Sequence, residues 1–296
     1  MILLTPTQHS EYELIDSGAY EKLERFGPYI LARPEPQAIW DKTLTDSEWD
    51  KRAHAVFRRD KGSQEKGQWI VKKEIPDRWN FHYKTSELNL TARLALSSFK
   101  HVGLFPEQAV NWDFIATKLR AMPVEKPTVL NLFAYTGMAS LAAKASGADI
   151  THVDSVKQVI SWSRDNMELS GLKDVRWVVE DAMKFVKREV RRGKKYNGLI
   201  LDPPAYGRGP DGEKWLLEEQ LNELLSLCAL LLEKDNYFLV INLYSLGFSS
   251  LIVDNLMNSH FKGAKNYESG ELYLSDSFQK KLPLGVFSRF SDVDVQ

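Results

Sequence analysis

The sequence predicts an α/β fold: an open parallel sheet layered with helices and preceded by a small β-rich unit. Three observations predict it. From Thr128 onward, short apolar runs alternate with longer helical segments, the signature of βαβ units. Ahead of about residue 100 the apolar and aromatic runs are short and broken by turn residues, as in a β unit. The length of 296 residues exceeds one average domain of roughly 150 and leaves room for both parts.

Within residues 12–84, strand-like runs occupy 29–32, 38–40 and 69–71, and Trp79, Phe81 and Tyr83 alternate with polar neighbours. Residues 106–122 space Val110, Phe114, Ala116 and Leu119 at helical intervals, and Pro123 and Pro127 stop the helix. The expected domains are therefore a β-rich unit over 1–100, a linking segment over 101–127 and an α/β domain over 128–296. The last reads as strand 128–133, helix 138–145, strand 150–153, helix 156–169 closed by Gly171, strand 175–179 and helix 182–192. Strand 196–201, a long helix 214–232 and strand 237–243 follow. A helix over 249–259 and two strand-like runs, 271–274 and 285–290, complete it, the runs forming a closing antiparallel pair.

The 39 Lys and Arg against 40 Asp and Glu give a net charge of -1, which excludes a polycation or an acidic tail. The balance is uneven along the chain: residues 1–50 hold 4 basic and 10 acidic side chains, residues 51–100 hold 12 and 5. A single cysteine, Cys228, excludes an internal disulfide and a cysteine-rich zinc site, and the six histidines show no paired metal-ligand spacing. The first ten residues lack the basic flank and apolar run of a signal peptide. The longest apolar stretch, 224–232, falls short of the roughly 20 residues of a membrane helix. A cytoplasmic protein without metal or membrane is expected.

In an open parallel sheet, ligands bind beyond the carboxyl ends of the strands. The first strand delivers Asn131, Phe133, Ala134, Thr136 and Gly137, the second Asp154 and Ser155, the third Asp181 and Ala182, and the fourth Asp202, Pro203 and Pro204. Taken singly, Asp154 and Asp181 are equally explained as helix N-caps. The succession of three acids fits a nucleoside better. A single glycine in the first turn argues against a pyrophosphate, which needs several glycines for close backbone approach. S-adenosylmethionine carries no phosphate: its ribose diol suits Asp154, its adenine amine Asp181, and its cationic end the first turn.

The run 131–137 together with Asp154, Asp181 and Asp202-Pro203-Pro204 resembles class I S-adenosylmethionine-dependent methyltransferases, and more narrowly the bacterial ribosomal RNA large-subunit methyltransferase group. That resemblance covers roughly residues 103–246 and implies a Rossmann-like methyltransferase sheet, the cofactor S-adenosyl-L-methionine and an RNA partner. In that group a segment ahead of the sheet reaches over the cofactor; residues 103–108 are its counterpart, which adds Phe105 and Gln108 as cofactor contacts. The resemblance also implies that the Asp-Pro-Pro loop receives a planar target, the acid and a proline carbonyl accepting from it while an aromatic side chain stacks. Tyr206 is the candidate here, one position later than that pattern expects.

Asp202 is the expected orienting or proton-accepting residue of an in-line methyl transfer. Methylation of a pyrimidine at carbon 5 needs a thiolate to add to the ring first. Cys228 lies in an apolar helical run, and 243–246 reads Leu-Tyr-Ser-Leu where the 5-methylcytosine members of the resembled group carry Ser-Cys-Ser. A nitrogen or oxygen acceptor is therefore expected.

Residues 207–212 spell GxGxxG, but they follow the fourth strand and include Pro210, so a flexible flap over the crevice is expected rather than a dinucleotide loop. The basic cluster Lys184, Lys187, Arg188, Arg191, Arg192, Lys194 and Lys195 reads as a solvated helix end or an RNA contact. In residues 51–100 the positive charge is interleaved with Trp69, Trp79, Phe81 and Tyr83, which suits single-stranded RNA and a domain core equally. The competing functions are a methyltransferase on a protein or small molecule, a nicotinamide-dependent oxidoreductase and a non-catalytic RNA-binding module.

Overall fold

A computed structural model describes residues 1–7, 9–60, 62, 66–244 and 247–295. The chain begins with β1 (Ile2–Leu4), β2 (Tyr12–Gly18), β3 (Glu21–Phe26), β4 (Tyr29–Pro34), α1 (Asp46–Arg52), β5 (Ala55–Arg59) and β6 (Gly67–Val71). The strands β7 (Arg78–Lys84) and β8 (Asn89–Ala95) and a 3-10 turn, Pro106–Gln108, lead into α2 (Ala109–Ala121). Then come β9 (Thr128–Leu132), α3 (Met138–Ala145), β10 (Asp149–Asp154), α4 (Lys157–Leu169), β11 (Arg176–Val179), α5 (Ala182–Arg191) and β12 (Gly198–Leu201). The chain continues through β13 (Tyr206–Arg208), β14 (Lys214–Leu216), α6 (Leu217–Leu231), β15 (Phe238–Leu243), α7 (Ser250–His260), β16 (Glu268–Ser275) and β17 (Lys281–Ser291).

The main sheet has the order β1-β16-β17-β15-β12-β9-β10-β11. From β15 to β11 its strands are parallel, and β17 runs antiparallel between β15 and β16. Strands covered by helices on both faces must be apolar throughout. Accordingly all residues of β12 and β15 are buried. Helix α6 turns Leu217, Leu221, Leu224, Leu225, Cys228 and Leu231 to the core at helical spacing. Sheet order reverses at β9, whose neighbours are β10 and β12, so a crevice opens at its carboxyl end. Leu132 pairs with Leu201 and Leu132 with Val153, so the residues following β9, β10 and β12 leave the sheet side by side.

The N-terminal half contributes a five-stranded sheet, β2-β3-β4-β5-β6, and the β7–β8 hairpin. Trp79, Phe81 and Tyr83 all point inward from β7. They join Trp112 of α2 and Met138 and Leu141 of α3 in one apolar cluster, which decides their role as core rather than stacking platform. Trp69 is partly buried, its ring against Phe57 and its Nε1 donating to the Phe99 carbonyl.

Three expectations change. Residues 38–40 form no strand; their carbonyls instead accept the amides of Ala19 (from Trp40) and Tyr20 (from Ala38), closing a loop around the β2–β3 turn. The helix expected over 214–232 starts only at Leu217, because Lys214–Leu216 pairs with Tyr206–Arg208 as a hairpin. Trp215 is thus buried from β14 and Leu217 from the first turn of α6. Ile2–Leu4, which had no assignment, is the edge strand of the main sheet, parallel to β16. Among the described residues no helix is long and apolar enough to cross a membrane.

Candidate active site

The turn after β9 takes a conformation that ordinary residues resist. Phe133 and Tyr135 have φ of 56° and 50°, and Gly137, at 91°, opens α3. Such backbone costs a side-chain-bearing residue on the order of 1–3 kcal/mol, so its surroundings must hold it. Ala134 N donates to Val153 O (3.1 Å) and Tyr135 N to Asp154 Oδ2 (2.9 Å). The Tyr135 and Thr136 carbonyls accept from Ser163 Oγ (2.7 Å) and Asn166 Nδ2 (2.9 Å), and Thr136 Oγ1 donates to Gly103 O (2.8 Å). Below the turn, Asn131 Nδ2 donates to Ser140 Oγ (2.9 Å), which also meets His152 Nδ1 (2.9 Å). Burial drives the His152 imidazole down to about 3, so it is a neutral support.

This turn walls a cavity at the carboxyl end of β9. Of the expected cofactor contacts, Phe105, Gln108, Asn131 and Phe133 line it, with Ala134, Thr136, Gly137 and Asp202. Asp154 and Ser155, at the tip of β10, and Asp181 and Ala182, past β11, stand outside that lining. Asp202 is the one charged residue of the lining, and two buried acceptors, the Oδ1 atoms of Asn111 and Asn242, have no hydrogen-bond partner among the described residues. Such a site favours a cation bearing N–H donors and disfavours a phosphate. The sulfonium and amino group of S-adenosylmethionine meet both conditions.

Asp202 follows β12 at the cavity floor, and Asn242 Nδ2, near the end of β15, lies 3.4 Å from its Oδ1. Burial pushes its carboxyl up to about 7, with the Asn242 contact pulling down and the charge of Glu107 pushing further up. Asp154 is also raised by burial, against the amides of Val156, Tyr135 and Ser155 that favour its ionised form. It caps no helix: α4 begins at Lys157 with Val156 in the cap position and no side-chain cap. Asp181 does cap α5, its Oδ1 accepting from Lys184 N (2.9 Å). Asp154→Ala should weaken binding of S-adenosylhomocysteine by about 2 kcal/mol, the worth of a charged hydrogen bond; calorimetry showing unchanged affinity would take Asp154 out of the site.

Two expectations at the fourth strand need correction. Pro204 O does not await a target, because Trp215 Nε1 donates to it at 2.7 Å. Tyr206 is exposed on β13 outside the cavity lining, and its hydroxyl accepts from Arg208 Nε (2.8 Å), so it does not stack over the cavity. Pro203 is buried beside Asp202. The GxGxxG run at 207–212 is the end of the β13–β14 hairpin, not a loose flap. Lys184 ties it to α5 through Asp211 (2.9 Å) and Glu213 (3.3 Å), and a Cβ at Gly209 would come within 3.0 Å of the Asp181 Cβ. Ser245 and Leu246, part of the tetrapeptide compared with Ser-Cys-Ser, lie outside the described residues.

Sequence reasoning missed Asn242, Asn111 and Glu107. Asn242 carried a signal, a lone amide in the apolar run 238–243 at a strand's carboxyl end. The basic cluster on α5 is largely neutralised: Lys184 as above, Lys187 by Glu223 (2.8 Å), Arg188 by Glu180 (2.5 Å) and Arg192 by Glu189 (3.0 Å).

This strand order, with a phosphate-averse crevice and a carboxylate at the tip of the central strand, defines the class I α/β methyltransferases. The model of the S-adenosylmethionine-dependent methyltransferase family matches residues 42–260, and the chain belongs to that family. It is similar to the SAM-dependent methyltransferase from Agrobacterium tumefaciens, at 35% identity and a TM-score of 0.90 over 98% of this chain and 93% of that one. Over 145 residues it is 29% identical to ribosomal RNA large subunit methyltransferase K/L of Shewanella frigidimarina, covering 48% of this chain and 19% of that protein. Over 86 residues it is 38% identical to ribosomal RNA large subunit methyltransferase I of Shewanella denitrificans, covering 28% and 22%. The matches thus span about a fifth of the length of these curated relatives. S-adenosylmethionine is the cofactor on which that family depends.

Proposed function

We propose that the protein transfers the cofactor's methyl group to a nitrogen or oxygen of RNA, ribosomal RNA foremost, in the cytoplasm. The observation that carries the direct-transfer reading is the position of Asp202, a carboxyl with a pKa near neutrality on the floor of the cofactor cavity. A group with such a pKa exchanges protons readily at working pH. The bound cofactor supplies an electrophilic methyl on sulfur. The chain supplies orientation, exclusion of water and a place for the acceptor's proton. Cys228, fully buried in α6 with its thiol pushed up to about 12, offers no thiolate for carbon-5 chemistry.

Phe105, Gln108, Asn131, Phe133, Ala134, Thr136, Gly137, Asp154, Ser155, Asp181, Ala182 and Asp202 are the proposed cofactor contacts, and Asp202, with Pro203 holding its backbone, is the proposed acceptor contact. We assign the β-rich unit of 1–100 to choosing the substrate and 101–127 to closing over the cofactor. The RNA reading leans on the names of the curated relatives. A second reading, a protein or small-molecule acceptor, is favoured by the charges of 51–100: Arg58, Lys72 and Arg93 pair with Glu21, Asp50 and Asp165. Salt separates the two. RNA binding by the wild-type protein should fall steeply between 50 and 200 mM salt, by about tenfold or more for even a few phosphate contacts, as filter binding would measure; a flat response favours the second reading.

A further inference from the structure

The β13–β14 hairpin has two unlike faces. Its strands pair Tyr206 with Leu216, Gly207 with Trp215 and Arg208 with Lys214. Side chains alternate along a strand and cross-strand partners share a face, so Trp215 stands on one side and Tyr206, Arg208 and Lys214 on the other. The fold uses the first side: the Trp215 and Phe133 ring centroids are 4.9 Å apart, and Trp215 Nε1 holds the Pro204 carbonyl. The second side is exposed at Tyr206, Arg208 and Lys214, and no third strand joins the hairpin among the described residues.

This outer face sets two cations directly opposite each other. Like charges in a cross-strand pair weaken a sheet, and neither Arg208 nor Lys214 meets an acid among the described residues. The acids at the hairpin's tip, Asp211 and Glu213, are taken by Lys184 (2.9 and 3.3 Å). Glu218 and Glu219 open α6, where the helix dipole favours them. Arg208 donates only its Nε, to Tyr206 Oη (2.8 Å), which sets the guanidinium beside a ring that is half-exposed. Two repelling cations next to an exposed ring call for an anion that carries a flat group. Tyr206 is also four residues beyond Asp202, so the two Cα atoms lie within roughly 14 Å of each other.

We propose that this outer face is an RNA-docking surface: a backbone phosphate sits between Arg208 and Lys214, and the base next to the methyl acceptor stacks on Tyr206. This rests on the RNA reading above. Phosphate attraction joined to aromatic stacking is how single-stranded RNA is held. An acidic peptide would answer the two charges and leave the ring unused. Tyr206 thus serves the neighbouring base on the rim, while the target base enters toward Asp202.

The test measures filter binding of ribosomal RNA, taken from cells lacking the protein, between about 50 and 200 mM salt. Arg208→Gln combined with Lys214→Gln should flatten the slope of log K against log salt by about 1.4–1.8, the worth of two phosphate contacts. Tyr206→Ala should weaken binding about tenfold at each salt concentration with the slope unchanged, and Tyr206→Phe should keep most of the affinity because it keeps the ring. Calorimetry should show wild-type affinity for S-adenosylhomocysteine in every variant, which certifies that each one folds. A wild-type protein that binds no RNA at the lowest salt would remove the RNA reading and this surface with it. Wild-type binding that no variant changes would overturn the surface and leave that reading standing. A slope lowered by the double variant with no effect of Tyr206→Ala would overturn the stacked base. Variants that keep RNA binding but lose methyl transfer into an RNA-free extract would overturn the proposal in favour of an acidic protein partner.

Discussion

Asp202→Asn is expected to lower methyl transfer by roughly 10²–10⁴-fold, the usual worth of a positioned proton-transfer group. The reason is local: Asn keeps the shape of the cavity floor and the contact to Asn242, but it takes up no proton. S-adenosylhomocysteine affinity, read by calorimetry, should move much less than turnover, since the turn after β9 that forms one wall of the cavity is untouched. A second consequence has the opposite sign. An acid whose folded value is raised, here from 3.8 to about 7, favours the folded state fully only below its unfolded value. That advantage is lost as pH rises through its folded value. Replacing Asp202 removes the cost, so the Asn variant should unfold at a higher temperature than the wild type. Its gain should grow from about pH 4 and level off above about pH 7. Three units correspond to about 4 kcal/mol; because the cavity admits solvent, we expect about 2 kcal/mol. Retained turnover would make Asp202 structural, and a variant less stable at pH 8 would show that its carboxylate is needed by the fold.

That trade of stability for chemistry separates what the sequence made legible from what it hid. The central strands were readable because burial on both faces forces unbroken apolar runs such as Phe238–Leu243, and a run bounded by turn residues leaves few alternatives. Of the acids at the strand tips, Asp202 lines the crevice, whereas Asp181 serves as the cap of α5, a role that the same position in the sequence allowed equally. The β13–β14 hairpin was not readable, because Lys214–Leu216 runs without a break into α6, so strand and helix read as one segment. Strand β1 was invisible for another reason: three residues carry no period, and only their pairing with Gly270–Leu272 makes them a strand. Glu107 was masked by its neighbours. Phe105 and Gln108 were noticed for the cavity they face, whereas Glu107 turns to a cavity whose far wall comes from residues 22–35. A cavity assembled from segments that distant leaves no local pattern to read.

Asp16→Ala is expected to give the largest loss of stability of any single substitution considered, about 3–5 kcal/mol. Asp16 is fully buried at the seam between the N-terminal sheet and the β16–β17 hairpin. Its carboxylate accepts from the amides of Ser17 (2.9 Å), Thr43 (3.1 Å) and Leu44 (2.9 Å), from Trp49 Nε1 (2.9 Å) and from Lys280 Nζ (2.9 Å). Alanine takes the acceptor from four N–H groups and leaves Lys280 Nζ with the Ser17 and Asp41 carbonyls and Asp276 alone, and buried donors without partners cost more than the bonds had contributed. Ser17 Oγ also donates to Asp276 (2.9 Å), so the loss would loosen the contact between the N-terminal sheet and the catalytic sheet. Burial alone would push the Asp16 carboxyl up, but Lys280 with the Leu44, Trp49 and Thr43 donors brings it below its ordinary value. Glu24, buried against Arg33 and Lys22, is likewise held down, to about 2. Depressed acids stabilise the fold above their unfolded values and lose that contribution as pH falls toward their folded ones. Wild-type stability should therefore drop between about pH 4.5 and 2, and Asp16→Ala should make that drop shallower below the Asp16 carboxyl's ordinary value of 3.8. Urea unfolding across this range is the measurement; a variant within about 1 kcal/mol of the wild type at pH 7 would mean that the seam is held by apolar contacts such as Leu14 against Leu282 and Leu284 instead.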